Sequence, residues 1–217
     1  MTQQIHTELT DTLWGESLEL AKKSIKDGYV IVAPLENGYA LLADAFSHDA
    51  VRALHVLRGD ALGVASQVLI ADASRIDGIA RDISEDARKL MKLFWPGLLS
   101  LTLKPQRALT WDLGDNGKLD KISVRVPKAP FILQLLEEYG PLAVASASRF
   151  AQPAITNPAQ IDFSINEVAA IFTTGILPQG KPSTVVECDL MAARITREGE
   201  ISVDELTSQI EGLGYPS

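Results

Sequence analysis

The feature that most constrains this chain is alternation. Short apolar, β-branched runs interleave with amphipathic helical stretches along nearly all of its 217 residues. Residues 29–33 read as a buried strand closed by Pro34, and 39–45 as a second. Residues 64–71, 98–103, 122–126, 142–147, 169–173, 184–188 and 193–197 complete the strands. Between them, Leu18, Ala21 and Ile25 lie at helical spacing over 16–26, with Gly28 as a stop. Ser47 is placed to cap a helix through Val51, Leu54 and Val56 to Arg58, ended by Gly59. Ser84 is placed to cap another, which Pro96 and Gly97 break, and 131–139 form a third. The alternation predicts the α/β class. No internal repeat or low-complexity segment interrupts it, and no composition shift marks a domain boundary.

The end of the chain carries the best-marked helix. Ser202 precedes Glu205 by three residues, a capping box, and Ile201 and Leu206 are placed to staple across it. Leu206, Ile210 and Leu213 share a face, so this helix is expected to dock on the body. Residues 104–121 form a loop rich in Gly, Asp and Asn, long enough to be functional or mobile.

Apolar residues make up 46% of the chain, enough for a sizeable core and inconsistent with disorder. No apolar stretch reaches the roughly 20 residues a membrane helix needs, and the first residues lack a signal-peptide pattern. A cytoplasmic location with no membrane partner is therefore expected. The formal charge of −8 argues against a broad polyanion-binding face. Residues 104–149 nevertheless hold seven basic and five acidic side chains, which leaves room for a small anion site. His6, His48 and His55 show no metal-ligand spacing and read as surface or helix-packing residues, His6 in a frayed terminus. Cys188 lies among apolar neighbours and reads as a buried structural thiol. Walker and Gly-x-Gly-x-x-Gly loops are absent, as is a Gly-x-Ser-x-Gly elbow, so any nucleotide would be held by dispersed residues.

Those dispersed residues fall in five ordered segments. Pro34-Leu35-Glu36-Asn37-Gly38-Tyr39-Ala40-Leu41 follows the first of these strands, and Arg58-Gly59-Asp60 follows the next helix. Trp95-Pro96-Gly97-Leu98 reads as a structural turn into a buried strand. Ser123-Val124-Arg125-Val126-Pro127 leads on to Ala145-Ser146-Ala147-Ser148, and Gly180-Lys181-Pro182-Ser183-Thr184 precedes Arg197. An arginine in an apolar strand, such as Arg125, is costly unless its charge is paired. Together the segments resemble the YrdC-like family, whose active members are threonylcarbamoyl-adenylate synthases acting in tRNA modification. The resemblance runs from about residue 16 to 210. It implies a YrdC-like single domain over 16–213 behind an N-terminal extension at 1–15. It further implies an open, twisted sheet of mixed direction, surrounding helices and a concave ligand cleft.

By the same resemblance Arg58, Arg125, Ser146, Ser183, Thr184 and Arg197 are the candidate nucleotide and anion ligands. The resemblance also exposes departures. The family's two threonines in the first segment are Leu35 and Asn37 here, its second cation after the helix is Asp60, and an Asn is Ser148. Leu35 offers no hydroxyl, and Asp60 sets a negative charge where a positive one is expected. Arg149 and Lys181 are candidates to compensate for it. Replacing Asp60 by Arg is accordingly expected to tighten nucleotide binding.

Three functions follow. The first is a divergent member, binding ATP or another nucleotide, or an RNA or tRNA end, with synthase activity weak or lost. The second is an active synthase, a nucleotidyltransferase joining threonine, bicarbonate and ATP with Mg²⁺ and no tightly bound cofactor. The third is an interaction protein without a ligand, which predicts no convergence of the cations. No metal site of the protein's own is expected, and the sequence leaves the oligomeric state open.

Overall fold

Three serines start helices as local chemistry predicts. Each turns its hydroxyl back to accept from an otherwise orphaned amide: Ser47 from Ala50, Ser84 from Ala87 and Ser202 from Glu205. Gly59 ends the helix begun at Ser47 in the left-handed conformation, at φ 74°. The computed structural model describes residues 5–164, 166–210 and 212–214. In chain order the elements are β1 (Ile5–Glu8), α1 (Trp14–Lys26), β2 (Ile31–Pro34), β3 (Tyr39–Asp44), α2 (His48–Arg58), β4 (Gln67–Leu69), α3 (Ile76–Ile79), β5 (Ala80–Arg81) and α4 (Glu85–Phe94). There follow β6 (Leu99–Pro105), β7 (Ile122–Arg125), α5 (Pro130–Tyr139), β8 (Leu142–Ser146), β9 (Ala170–Thr173), β10 (Thr184–Cys188), β11 (Ala193–Arg197) and α6 (Val203–Gln209).

The strands form one open mixed sheet in the order β1-β9-β2-β3-β8-β4-β7-β6-β10-β11, with β5 paired to β6 off this path. Parallel pairs (β1 with β9, β2 with β9, β4 with β7, β6 with β10) are interspersed with antiparallel ones such as β3 with β8. Central strands such as β2 are buried along their whole length, which explains their continuous apolar runs. Helices α1 and α5 cover one part of the sheet through Leu18, Ile25, Phe131 and Leu135, with Phe131 against Phe172. Helix α2 covers another through Ala50 and Leu54. Leu90 and Met91 of α4 complete the largest core, joined by Ile201, Leu206, Ile210 and Leu213. The last helix therefore docks as its pattern predicts.

Two expectations change. Residues 5–8 pair in register with β9, so the sheet extends into the segment set apart as an extension, and its backbone at His6 is part of a strand. The expected strand at 64–71 shortens to Gln67–Leu69.

Strand register decides what the sheet presents. Side chains alternate with period two. The pairs Ala40 with Ser146, Gln67 with Val144, Leu69 with Arg125, Val185 with Ser100 and Val185 with Arg197 therefore share a face. Polar residues from five strands, Ser146, Gln67, Arg125, Ser100 and Arg197, thus meet on one surface.

Candidate functional site

That surface is the floor of a cleft of about 420 Å³. Its walls are the β2–β3 turn with Leu35, Asn37 and Gly38, the end of α2 with His55 and Arg58, the following segment from Asp60 to Ser66, and Pro182 with Ser183. Arg58, Arg125, Ser146, Ser183 and Arg197 all line it. The predicted cations converge, against the expectation from a ligand-free interaction protein.

The three arginines differ in what they have left to give. Arg125 is 4% exposed, and its Nη1 donates to Glu36 Oε1 at 2.8 Å and to the Gly97 carbonyl at 3.3 Å. Glu36 Oε1 also accepts from the Lys128 amide at 2.6 Å. The strand arginine is thus paired, as burial of a charge requires. Arg58 Nε stands 3.5 Å from Asp60 Oδ1. Arg197 has no carboxylate within ion-pair distance among the described residues. It donates to the Ser183 carbonyl through Nε and Nη2, and to Ser183 Oγ through Nη2 at 3.1 Å. Burial lowers the pKa of its guanidinium, yet arginine keeps its proton in proteins. Arg197 is the cleft arginine whose charge is not already met by an acid.

Asp60 is not the naked charge reversal that the sequence suggests. Its side chain is 1% exposed, and Oδ2 lies 2.8 Å from His55 Nδ1. The other ring nitrogen, Nε2, lies 2.8 Å from the Leu113 carbonyl and 2.9 Å from Ser66 Oγ. A carbonyl can only accept, so Nε2 donates to it. The ring thus bridges the Asp60 carboxylate on one side and the Leu113 carbonyl on the other. Gly114 is required here: its φ is +103°, and a Cβ would collide with the His55 ring. His55, read from sequence as a packing residue, is therefore a site residue. Nothing in its local spacing signals this, because its partners are five residues on and across a long loop.

Neither expected compensating cation enters the cleft. Arg149 lies outside the lining, and its field acts instead on Glu167, where it lowers the carboxyl pKa after the stronger Ser164 hydrogen bonds. Lys181 is exposed outside the lining, its amide donating to Glu200 and its carbonyl accepting from Asn37 Nδ2 at 2.5 Å. Asn37 thus ties the first segment to the 180–181 turn. Thr184 is wholly buried: its hydroxyl donates to the Ile201 carbonyl at 2.6 Å and accepts from the Gly199 and Ile201 amides. It shapes the turn that positions Ser183 and is closed to a ligand. Ser148 is also buried, its hydroxyl 2.7 Å from Ser146 Oγ and 3.3 Å from the Gln152 carbonyl. Leu35 walls both the cleft and an adjoining, largely apolar cavity of about 340 Å³. Trp95 behaves as the structural residue expected, with Nε1 donating to the Leu99 carbonyl at 2.7 Å.

Sequence reading also missed Gln67 and Ser100. Gln67 Nε2 donates to Ser100 Oγ at 2.6 Å and to Ser123 Oγ at 3.1 Å, and Ser100 Oγ lies 2.8 Å from Ser183 Oγ. A hydrogen-bonded row thus crosses the floor from β4 to β11. Among the described residues no group of three or more His, Cys, Asp or Glu side chains is placed to hold a metal ion. Of the carboxylates beside the cleft, Glu36 is held through Oε1 and Asp60 through Oδ2, while Glu36 Oε2 and Asp60 Oδ1 are buried without a hydrogen-bond partner among the described residues.

Comparison with known proteins agrees with this architecture. A family model described as telomere recombination, covering Sua5, YciO and YrdC proteins, matches residues 23–199. A Mycobacterium tuberculosis protein provisionally named threonylcarbamoyl-AMP synthase is 32% identical over 184 residues, 84% of each chain. The Bacillus subtilis threonylcarbamoyl-AMP synthase is 28% identical over 96% of this chain and 61% of its own. Among solved structures, Sua5 of Pyrococcus abyssi in complex with L-threonine superposes with a TM-score of 0.87 at 26% identity. That match covers 99% of this chain and 63% of the Sua5 chain, so the present chain spans under two thirds of it. Escherichia coli YciO superposes with a TM-score of 0.77 at 25% identity, over 95% of this chain and all of YciO.

Proposed function

The chain belongs to the Sua5/YciO/YrdC family, and on that premise we propose that its cleft binds a phosphorylated nucleotide, with synthase turnover weak or absent. The observation that carries this reading is the disposition of the three cleft arginines. Arg125 is committed to Glu36 and Arg58 stands beside Asp60, whereas Arg197 faces the cleft without an acid. One uncommitted guanidinium with a serine beside it suits one phosphate or carboxylate better than a triphosphate and a threonine together. Any Mg²⁺ would arrive on the phosphates, since no group of three or more His, Cys, Asp or Glu side chains among the described residues is placed to hold it. Leu35 supports the same reading, because it presents methyl groups where a second substrate would need a hydroxyl.

A second reading has its own support. Relatives spanning most of the chain bear the threonylcarbamoyl-AMP synthase name, and His55 engages the Asp60 carboxylate at 2.8 Å. On that reading ATP, L-threonine and bicarbonate give threonylcarbamoyl-adenylate for tRNA modification. Pyrophosphate release on adding L-threonine and bicarbonate to ATP and Mg²⁺ separates the two. We expect release well below that of the B. subtilis synthase assayed alongside. Equal release establishes the second reading. An RNA or tRNA end as ligand belongs to the first, and competition of a tRNA with ATP tests it.

A further inference from the structure

The row of hydroxyls across the cleft floor has donors at both ends. Gln67 Nε2 has two hydrogens and spends them on Ser100 and Ser123. At the far end Arg197 Nη2 donates to Ser183 Oγ. Arginine and an amide nitrogen cannot accept. Ser100 is wholly buried and already accepts from Gln67, so its own hydrogen goes to Ser183 Oγ, 2.8 Å away. Ser183 Oγ then accepts twice, from Ser100 and from Arg197. Its own hydrogen has no acceptor among the described residues, and Ser183 lines the cleft. The same count leaves the Ser123 hydrogen free, and Ser123 lines the cleft as well.

We propose that Gln67 is a positioning residue that sets the polarity of this row, so that Ser183 and Ser123 present hydrogens, not lone pairs, to the ligand. Resting on the nucleotide reading above, this makes the floor specific for an oxyanion: a phosphate or carboxylate oxygen accepts from both serines while Arg197 supplies charge. A donor set fixed before binding costs no reorganisation when the anion arrives. A neutral or cationic group finds no acceptor there. Gln67 acts through Ser100 and needs no contact with the ligand.

Two measurements test this. The first is ligand-free: neutron diffraction from crystals of the deuterated full chain. Expected are both Gln67 amide deuterons on Ser100 and Ser123, and the Ser183 deuteron directed into the cleft. A flipped amide, with the Ser100 and Ser123 deuterons on Gln67 Oε1, overturns the proposal whether or not any nucleotide binds. The second is a double-mutant cycle, titrating AMP into wild type, Gln67→Glu, Ser183→Ala and the double variant. Glutamate keeps the shape and can only accept, so it draws the hydrogens back along the row. Its charge alone weakens AMP equally in both serine backgrounds, whereas loss of polarity requires Ser183. We expect Gln67→Glu to cost about tenfold more affinity when Ser183 is present than in the Ser183→Ala background. Equal costs in both backgrounds overturn the proposal. Wild type that binds no AMP overturns the nucleotide reading instead, and the neutron map still decides the polarity.

Discussion

The imidazole of His55 and the carboxylate of Asp60 meet at 2.8 Å in a bridge that leaves the Asp60 side chain 1% exposed. This relationship changes what a substitution at position 60 should do. An arginine there would face the His55 ring and the Arg58 guanidinium without solvent to screen them. Asp60→Arg should therefore lower the unfolding temperature and leave nucleotide affinity no better than wild type at any ionic strength. Asp60→Asn, which keeps the shape, should lose about 1.5–3 kcal/mol of stability. Urea unfolding of both variants, with an ATP titration over a salt series, checks this. Tighter binding by Asp60→Arg at low salt would show that the Asp60 charge acts on the ligand despite the bridge to His55.

The same bridge depends on Gly114. A β-carbon there meets the His55 ring, and the backbone φ of +103° is unfavourable for any other residue. Gly114→Ala should destabilise by more than about 1 kcal/mol, while Gly117→Ala, at φ +68° with open space around it, should cost less. Paired thermal melts rank them.

Arg125 should declare itself through stability before binding. It is buried with Glu36, and removing one partner leaves the other charge stranded. Arg125→Ala should cost about 3–5 kcal/mol, and Glu36→Ala a comparable amount. If denaturant unfolding shows Arg125→Ala as stable as wild type, the pair is not a buried one.

Cys188 gives a prediction with a sign. Burial, reinforced by Asp86, Asp189 and Glu187, pushes its thiol up to about 12 from an ordinary 9.0. The native thiol is then inert to alkylation at pH 8 and reacts on unfolding. Above about pH 9 the native thiol keeps its proton while the unfolded one gives it up, so this group alone makes stability fall as pH climbs toward 12. Rapid modification of the native chain at pH 8 would contradict the burial.

What the sequence revealed was what neighbours in the chain decide. The serine caps at 47, 84 and 202 and the limits of β10 and β11 follow from local patterns. So did the convergence of Arg58, Arg125, Ser183 and Arg197, through motif order. Invisible were the facts set by distant partners. Thr184 looked like a ligand hydroxyl until Gly199 and Ile201 were found to consume it. β1 has too few residues to announce a strand, and only β9, far along the chain, makes it one. His55 and Gln67 carry no motif; a loop carbonyl at Leu113 and three serines give them their roles.

The central claim is that the cleft holds an anionic ligand on Arg197. Isothermal titration of ATP into wild type and Arg197→Ala tests it most directly. Arg197 has no acid partner among the described residues, so the variant should fold and can be compared directly. The account predicts measurable binding by wild type and a loss of about 1.5–3 kcal/mol in the variant. Equal affinities in the two proteins, or no binding by wild type, would contradict it.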